Sequence, residues 1–265
     1  MERFYEGSSS LFVRAYDAFH HQPPPPIVGD VGFYQTLASE AVSPVLELAC
    51  GTGRIAVALA ERGIEITGVD ISEGMLAGAR CKRDALPADA RQRLALLAGD
   101  MCALELNRQF GLVFVAFRSF QHLLTIDLQR EALAAIRRHL MPGGRLALHL
   151  FDPRLDLLIE GIRKLPRLTG VDPVTQRRYT GEVLRAQFDH LSQVRRDLWQ
   201  YMEFSPTGVM VEQAAREMAL RWTYRWELHH LLTLSGFVLE AEYSDFAGSP
   251  PAYGKELIVV ARISG

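Results

Sequence analysis

The chain has 265 residues, of which 48% are hydrophobic and 23% charged, and its formal net charge is -2. This composition is typical of a globular protein with a large core, and it lacks the polybasic signature of a protein that binds nucleic acid. No apolar run reaches the ~20 residues of a membrane helix, and the first residues lack a signal-peptide pattern, so we expect a cytoplasmic protein that does not bind membranes. The three cysteines, Cys50, Cys81 and Cys102, lack the spacing of a zinc site or a disulfide framework.

The N-terminal part, residues 1–43, is expected to form a lid and one helix. Residues 23–26 are four prolines, which must be extended because each ring fixes φ and removes a backbone donor. Asp30 then resembles an N-cap for a helix that ends near Glu40.

From Pro44 onward, short apolar runs alternate with helical stretches, which predicts βαβ units and a parallel sheet with right-handed crossovers. Strands are predicted over residues 45–49, 64–69, 94–98, 112–116 and 146–151. Helices are predicted over residues 55–62, 73–84 and 128–140. The Met-Pro-Gly-Gly string at residues 141–144 predicts a helix stop and a turn before the fifth strand.

The pattern changes after Asp152-Pro153, which indicates the start of a helix over residues 152–164. Approximate two-residue alternation then predicts three antiparallel strands over residues 183–191, 194–204 and 216–224, within a β cap inserted at residues 165–222. A helix over residues 225–235 and strands over 237–246 and 256–263 complete the core.

The fold class is therefore α/β: a Rossmann-like, seven-stranded, mostly parallel sheet with helices on both faces, plus an inserted antiparallel three-stranded β cap. The predicted parts are the lid and helix (1–43), the cofactor-binding core (44–164), the cap (165–222) and the C-terminal helix and strands (223–265).

A glycine loop lies in the string VLELACGTGR, residues 45–54, between the first strand and the first helix of the core. Gly51, Gly53 and Ala56 fit the G-x-G-x-x-A pattern that seats a dinucleotide pyrophosphate on a helix N-terminus. Glu47 stands just ahead of this loop and would repel a pyrophosphate, because like charges at short range repel strongly. The loop therefore favours a ligand that is cationic where it meets Glu47.

Two further carboxylates, Asp70 and Asp100, follow the second and third strands, where ligands of open α/β sheets bind. A ribose diol suits Asp70, an adenine amine suits Asp100, and a cationic tail suits Glu47. S-adenosylmethionine meets all three demands, because it carries a sulfonium and an ammonium and no phosphate.

These motifs resemble those of the class I S-adenosylmethionine-dependent methyltransferases. VLELACGTGR is similar to the first motif of that family, GVDIS at 68–72 to the second-strand motif, and AGDM at 98–101 to the adenine-side motif. FGLVFVAFRSFQHLLT at 110–125, followed by LMPGGRLAL, is similar to the fourth and fifth strands. The resemblance runs from about residue 12 to the C-terminus, and is closest to small bacterial members with an antiparallel insertion, such as sugar-amine and glycine-type N-methyltransferases.

The resemblance implies a role for each matching residue in binding S-adenosylmethionine or its product S-adenosylhomocysteine. Glu47 and the Ala49 carbonyl would lie near the methionine amino group, Asp70 would accept both ribose hydroxyls, and Asp100 would accept the adenine amine. The implied cofactor-binding residues are Glu47, Ala49, Cys50, Gly51, Gly53, Asp70, Ile71, Met75, Gly99, Asp100, Met101 and Phe117.

The methyl acceptor is not identified by these motifs, because methyl transfer from a sulfonium depends mainly on positioning. His122, after the fourth strand, is the candidate general base, and Tyr16 resembles a lid tyrosine that approaches the cofactor tail. Arg118, Gln121 and His20 are candidate substrate-binding residues, although His20 precedes the prolines and is expected to face solvent. We expect a small-molecule acceptor and no metal, with a homodimer through the β cap as one assembly.

Three alternatives remain open. An NAD-dependent oxidoreductase fits the glycine loop and Asp70, although Glu47 and the later motifs count against it. A methyltransferase acting on nucleic acid or protein is the second, but Ala-Phe-Arg-Ser stands where base-amine methylating enzymes carry Asn/Asp-Pro-Pro-Tyr. A non-catalytic cofactor-binding protein is the third.

Overall fold

The computed structural model describes residues 4–5, 7, 10–20, 27–156 and 166–264, which form two sheets and the helices that pack on them. The strands are β1 (Val45–Leu48), β2 (Ile66–Asp70), β3 (Leu94–Ala98), β4 (Phe110–Val115), β5 (Leu140–Phe151), β6 (Arg167–Val171), β7 (Arg178–Asp189), β8 (Val194–Phe204), β9 (Met210–Arg221), β10 (Phe237–Tyr243) and β11 (Glu256–Ile263). The helices are α1 (Leu11–His20), α2 (Asp30–Glu40), α3 (Arg54–Glu61), α4 (Glu73–Asp84), α5 (Ala88–Arg93), α6 (Ile126–His139) and α7 (Arg225–Leu234), with a 3-10 turn at Ser119–His122.

The main sheet has seven strands in the order β10-β11-β5-β4-β1-β2-β3, and β11 runs antiparallel to both of its neighbours. The other pairs are parallel, so the predicted Rossmann-like fold class is confirmed. The strand order reverses at β1, which pairs with β2 on one side and β4 on the other. Ligands of such sheets bind beyond the carboxyl ends of the strands at this switch point.

The central strands are apolar on both faces because helices cover both faces. All residues of β1 and β4 are buried. One core cluster lies on the face covered by α2, α3 and α4, and the second lies on the face covered by α6 and α7. The two clusters fix the ends of β1, β2 and β4 relative to one another.

The β cap has four antiparallel strands, in the order β6-β7-β8-β9, rather than the three predicted. The missed strand β6 is five residues long, contains Gly170 and has no fully buried side chain, so its hydrophobic pattern is weak. The last strand starts at Met210, earlier than predicted, because its first four residues have exposed side chains and so carry no alternating pattern of burial.

Other boundaries also differ. Residues 141–144 lie inside β5 as a bulge, since Phe110 pairs with Leu140 while Leu112 pairs with Arg145. Helix α5 was not predicted, because its six residues contain a single buried side chain. Asp30 is the first residue of α2 and not its N-cap, a position that Gly29 takes in a left-handed conformation. The proline run and most of the predicted 152–164 helix lie outside the described residues.

Helix α1 connects the two sheets. Its residues Phe12 and Phe19 pack with Tyr179, Trp199 and Tyr201 of the cap in a third cluster. Its opposite side faces the glycine loop of the main sheet, as shown by Tyr16 below. Among the described residues, no helix combines the length and the hydrophobicity required to cross a membrane.

Candidate functional site

The glycine loop joins β1 to α3 through a sharp turn. Ala49, Gly51 and Gly53 have φ of 55°, 56° and 76°, all in the left-handed region, and Gly53 is the N-cap of α3. The Gly51 N–H donates a 2.7 Å hydrogen bond to Asp70, which ties the loop to the end of β2. Cys50 is buried in this turn and lies under Gly68. The loop is thus held by its neighbours, with the Met75 side chain and the Tyr16 hydroxyl at 3.6 and 3.8 Å from the position of a Cβ on Gly51.

Glu47 is almost fully buried at the end of β1, and its Oε2 has no hydrogen-bond partner among the described residues. Desolvation raises the pKa of Glu47 to about 8, opposed by the charge of Arg54 and by the Ala56 N–H. The Arg54 charge is itself engaged, because its guanidinium binds the buried carboxylate of Asp30 at 2.9 Å. An unpaired, buried carboxyl oxygen is costly, and this one lies where the resemblance expects an ammonium group.

Asp70 closes β2 with both oxygens engaged by the backbone. One oxygen accepts from the Gly51 N–H and the other from the Ser72 N–H at 2.8 Å. Burial raises the pKa of Asp70, while these N–H groups lower it. Each carboxylate oxygen accepts more than one hydrogen bond, so capacity for a diol remains. Met75 is buried below the loop, and Ile71 is 40% exposed on the open side.

The third strand ends beside Asp70. The Gly99 N–H donates to the Asp70 carbonyl at 3.0 Å, and a Cβ on Gly99 would lie 3.1 Å from Val69. Asp100 accepts from the Cys102 N–H at 2.9 Å, and Met101 packs against the second core cluster. Glu47 in β1, Asp70 at the end of β2 and Asp100 after β3 therefore lie near the carboxyl ends of three adjacent strands.

Helix α1 brings two predicted residues to this edge. The Tyr16 hydroxyl lies 3.8 Å from the position that a Cβ on Gly51 would occupy, and burial raises the pKa of Tyr16, so the phenol remains a donor. His20, one turn later, packs 4.6 Å from Tyr16 and 4.8 Å from Phe117, measured between ring centroids. The expectation that His20 faces solvent is wrong: its Nδ1 is buried with no partner in the part of the chain that the structure describes, and desolvation lowers its pKa to about 4.

The turn after β4 is strained, since both Phe117 and Arg118 have left-handed φ, 54° and 65°. Phe117 lies over the Arg54 guanidinium at 5.5 Å and completes the aromatic wall with Tyr16 and His20. Arg118 makes two hydrogen bonds to Glu256, at 3.0 and 2.5 Å, and Glu256 also accepts from His149 at 2.7 Å.

The two other candidates of this loop lie in the 3-10 turn. Gln121 is fully buried, and its carbonyl oxygen accepts from the Phe151 N–H at 3.1 Å while its Nε2 has no described partner. His122 is partly exposed and lies against β9 of the cap. Desolvation lowers the pKa of His122 to about 4, and a hydrogen bond with the Ala219 backbone of β9 opposes this.

Sequence reasoning missed the buried ion pairs that brace the site. Asp30 and Arg54 are 24 residues apart, and Arg118 and Glu256 are 138 apart, so no spacing rule relates them. Glu256 begins an apolar strand, and its charge was the only signal in the sequence. Among the described residues, no three His, Cys, Asp or Glu side chains converge as metal ligands.

Residues 45–144 match the family model of the methyltransferase domain, which covers β1 through the start of β5. The matched part of the chain holds the glycine loop, Asp70, Asp100 and Phe117, so the resemblance drawn from the sequence is confirmed.

Similar proteins match part of this chain in sequence or share its fold. The dTDP-3-amino-3,4,6-trideoxy-alpha-D-glucopyranose N,N-dimethyltransferase of Streptomyces venezuelae is 38% identical over 102 residues, 38% of this chain and 40% of that protein. The chain matches 40% to 48% of the length of such curated relatives. The CcbJ methyltransferase from Streptomyces caelestis superposes with a TM-score of 0.75 over 98% of this chain and all of its own, at 24% identity. The glycopeptide N-methyltransferase MtfA, solved with S-adenosyl-L-methionine, has a TM-score of 0.58 at 25% identity and covers 89% of this chain and 93% of its own.

Proposed function

We propose that this chain is an S-adenosylmethionine-dependent methyltransferase that acts on a nitrogen or oxygen atom of a small molecule. The observation that carries the proposal is Glu47: a buried carboxyl group beside the glycine loop, whose Oε2 has no partner among the described residues, favours a cationic amino acid tail over an anionic pyrophosphate, because a cation stabilises its ionised form. The solved complex of MtfA with S-adenosyl-L-methionine supports the same cofactor.

The residues of the site fit this cofactor. Space above Gly51 is bounded by the Tyr16 hydroxyl and by Met75, each at ordinary contact distance from a Cβ placed there. Glu47 and the Ala49 carbonyl would hold the ammonium, Asp70 the ribose, and Asp100 with Met101 the adenine. The exposed Ile71 would cover the adenine on the open side.

The bound cofactor supplies a methyl group on a sulfonium, so the C–S bond breaks as a C–N or C–O bond forms and S-adenosylhomocysteine is left. The chain has to align the acceptor lone pair with that methyl group and keep water away. Tyr16, His20 and Phe117 form an aromatic wall suited to both tasks. His122 is the candidate to receive the acceptor proton, since it is neutral at pH 7, although the desolvation that lowers its pKa also makes it a weaker base.

A nitrogen acceptor is favoured over oxygen by the N-methyltransferases among the similar proteins. We assign Gln121 and Arg118 to holding the loop next to the acceptor. Gln121 accepts from the Phe151 N–H, and Arg118 donates to Glu256. A homodimer through the β cap, a cytoplasmic location and a metal-free reaction remain parts of the proposal.

The first test measures cofactor choice. S-adenosylhomocysteine at ~100 times its Kd should stabilise the protein by ~2.7 kcal/mol in a thermal melt, whereas NADH should leave the Tm unchanged. Asp70→Asn should weaken S-adenosylhomocysteine by about tenfold or more, because it replaces a charged acceptor. Asp89→Asn, which changes an exposed carboxylate of α5, is the matched control and should bind normally. Stabilisation by NADH alone would instead support the oxidoreductase.

The second test separates catalysis from mere binding. Methyl-labelled S-adenosylmethionine is incubated with a panel of small amines and alcohols, and labelled product is measured. Labelled amines are expected. Cofactor binding without transfer to any member of the panel or to a metabolite extract would favour the non-catalytic alternative.

A further inference from the structure

A cavity of about 230 Å3 lies beyond the end of β5, where Asp152 after β5 and Glu256 at the start of β11 line it. Its walls are the residues after β5, the start of α7 and the loop between β10 and β11. Glu256 lines this cavity and also holds Arg118, which follows Phe117 in the strained turn. Glu256 and Arg118 therefore connect the cavity to Phe117, in the aromatic wall of the proposed methyl-transfer site.

Exposed aromatic rings converge on the cavity. Trp226 is 66% exposed, Tyr253 is 63% exposed and Tyr224 is 39% exposed, and all three line it. The other two tryptophans of the chain, Trp199 and Trp222, are buried. Exposed aromatic surface gathered around a concavity is a feature of ligand sites, since flat rings bind an apolar face without much loss of entropy.

The charges at the cavity are nearly balanced. Glu242 is paired with Arg225 at 2.7 Å and with His229 at 2.8 Å, and Glu256 is paired with Arg118 and His149. Asp152 accepts from the Gly254 N–H at 2.7 Å, and the described residues give it no ion pair.

These charges select against ionic ligands. Arg225 also lies over the Trp226 ring at 5.7 Å, so a bound cation would meet a guanidinium on its own ring face. An anion would meet Asp152. A neutral ligand that both donates and accepts hydrogen bonds suits this mixture best.

We propose that this cavity binds a neutral ring bearing several hydroxyl groups, and that this ring belongs to the methyl acceptor. The ring's C–H face would lie on Trp226 and Tyr253, its hydroxyls would donate to Asp152, and Arg225 would donate to them. This inference rests on the proposed function, because only an acceptor that also reaches Phe117 links the two sites. It gives the enzyme a way to fix the unreactive part of its acceptor.

Trp226 is the natural reporter, because it is the one exposed tryptophan. Methyl β-D-glucopyranoside should change tryptophan fluorescence in a saturable way, while tetramethylammonium and acetate at equal concentration should not. Saturation-transfer NMR on the glucoside protons should show the same binding. A response to tetramethylammonium or acetate, with none to the glucoside, would overturn the assigned ligand class.

Two exposed residues of α7 provide matched variants. Trp226→Ala should weaken the glucoside by about fivefold or more in the NMR experiment, as expected for an aromatic anchor. Leu234→Ala, at the other end of α7 and 86% exposed, should bind as the wild type does. Equal affinity in both variants would place the glucoside elsewhere and refute the site.

Binding of S-adenosylhomocysteine is measured on the same samples. If it binds while the glucoside does not, only this inference fails. If S-adenosylhomocysteine does not bind, the proposed function fails. Glucoside binding at Trp226 would then show a ring-binding site unconnected with methyl transfer, and the assignment of that ring to a methyl acceptor would also be refuted.

Discussion

Glu47 is as buried as a core residue, yet its Oε2 has no hydrogen-bond partner among the described residues. Such an oxygen is typical of a group that binds a ligand. Because desolvation raises the pKa of Glu47 to about 8, the carboxyl is largely protonated at neutral pH before a ligand arrives. An ammonium group placed against Oε2 would favour the ionised form. Cofactor binding should therefore expel a proton from this residue.

We predict that the affinity for S-adenosylhomocysteine rises with pH by nearly tenfold per unit between about pH 6 and 7.5, because the carboxyl must ionise on binding. Isothermal titration calorimetry at pH 7 in phosphate and in Tris should give different enthalpies, which reports the released proton. Glu47→Gln should weaken binding by about tenfold or more and remove both effects.

Asp89→Asn should retain the full pH dependence, as an exposed carboxylate without contact to the site. A wild-type affinity that does not change between pH 6 and 7.5 would mean that the Glu47 proton takes no part in binding.

At the scale of elements, the contact between α1 and β6 is unusually close. A Cβ on Gly170 would lie 2.1 Å from the Ala18 carbonyl oxygen, so no side chain fits there without moving the helix or the strand. Because α1 carries Tyr16 and His20, the cap sets the position of two residues of the candidate site. Gly170 is thus a structural requirement of the site although it lies in the other sheet.

We predict that Gly170→Ala lowers the free energy of unfolding by about 1–3 kcal/mol and also weakens S-adenosylhomocysteine, because α1 must shift. Gly32→Ala is the matched control: a Cβ there has no neighbour within 4 Å, and alanine in a helix should stabilise by about 0.5–1 kcal/mol. Chemical denaturation and calorimetry measure the two quantities. The same result for both variants would show that the close approach to Ala18 has no energetic consequence.

Burial and strand pairing explain which parts of the fold the sequence could predict. The runs that became β1 and β4 are buried on both faces, so hydrophobicity alone located them, and the acidic residues after β2 and β3 followed from the topology. The strand β6 and the start of β9 are exposed and pair through backbone groups, which leave no side-chain pattern. The Arg118–Glu256 pair joins β4 to β11 across the sheet, and only the strand order brings it together.

In the described part of the chain, the two sheets share one helix, α1, which packs on the cap and also contacts the glycine loop of the main sheet. On the cap side, the buried Glu203 accepts from Arg14 of α1 and from Arg177, the residue before β7. Burial raises the pKa of Glu203, but the hydrogen bonds from both arginines outweigh it and lower the pKa overall. This ion pair therefore stabilises the joint above the usual carboxyl pKa and is lost as pH falls, so acid should loosen the cap first.

The pH dependence of global stability follows from groups in both halves of the molecule. His20, His122 and His149 have pKa values lowered by desolvation, so the folded state binds fewer protons than the unfolded state and stability rises as the pH passes through the usual histidine pKa near 6.5. Glu47 has a raised pKa, so the folded state binds more protons and stability falls between its usual pKa and about 8. The two effects oppose each other up to about pH 7.5, and above that the effect of Glu47 dominates.

We therefore predict that, between pH 6.5 and 8, the ligand-free wild type loses about 1.5 kcal/mol more unfolding free energy than Glu47→Gln does, at 1.36 kcal/mol per pKa unit for a group that is half ionised at pH 8. Urea denaturation at the two pH values measures this loss. Glu47→Gln should flatten the profile, because it removes the titrating group, and so should saturating S-adenosylhomocysteine, because its ammonium keeps Glu47 ionised in the folded state. If Glu47→Gln loses as much unfolding free energy as the wild type, another group causes the loss, and Glu47 is not a protonated carboxyl in the ligand-free protein.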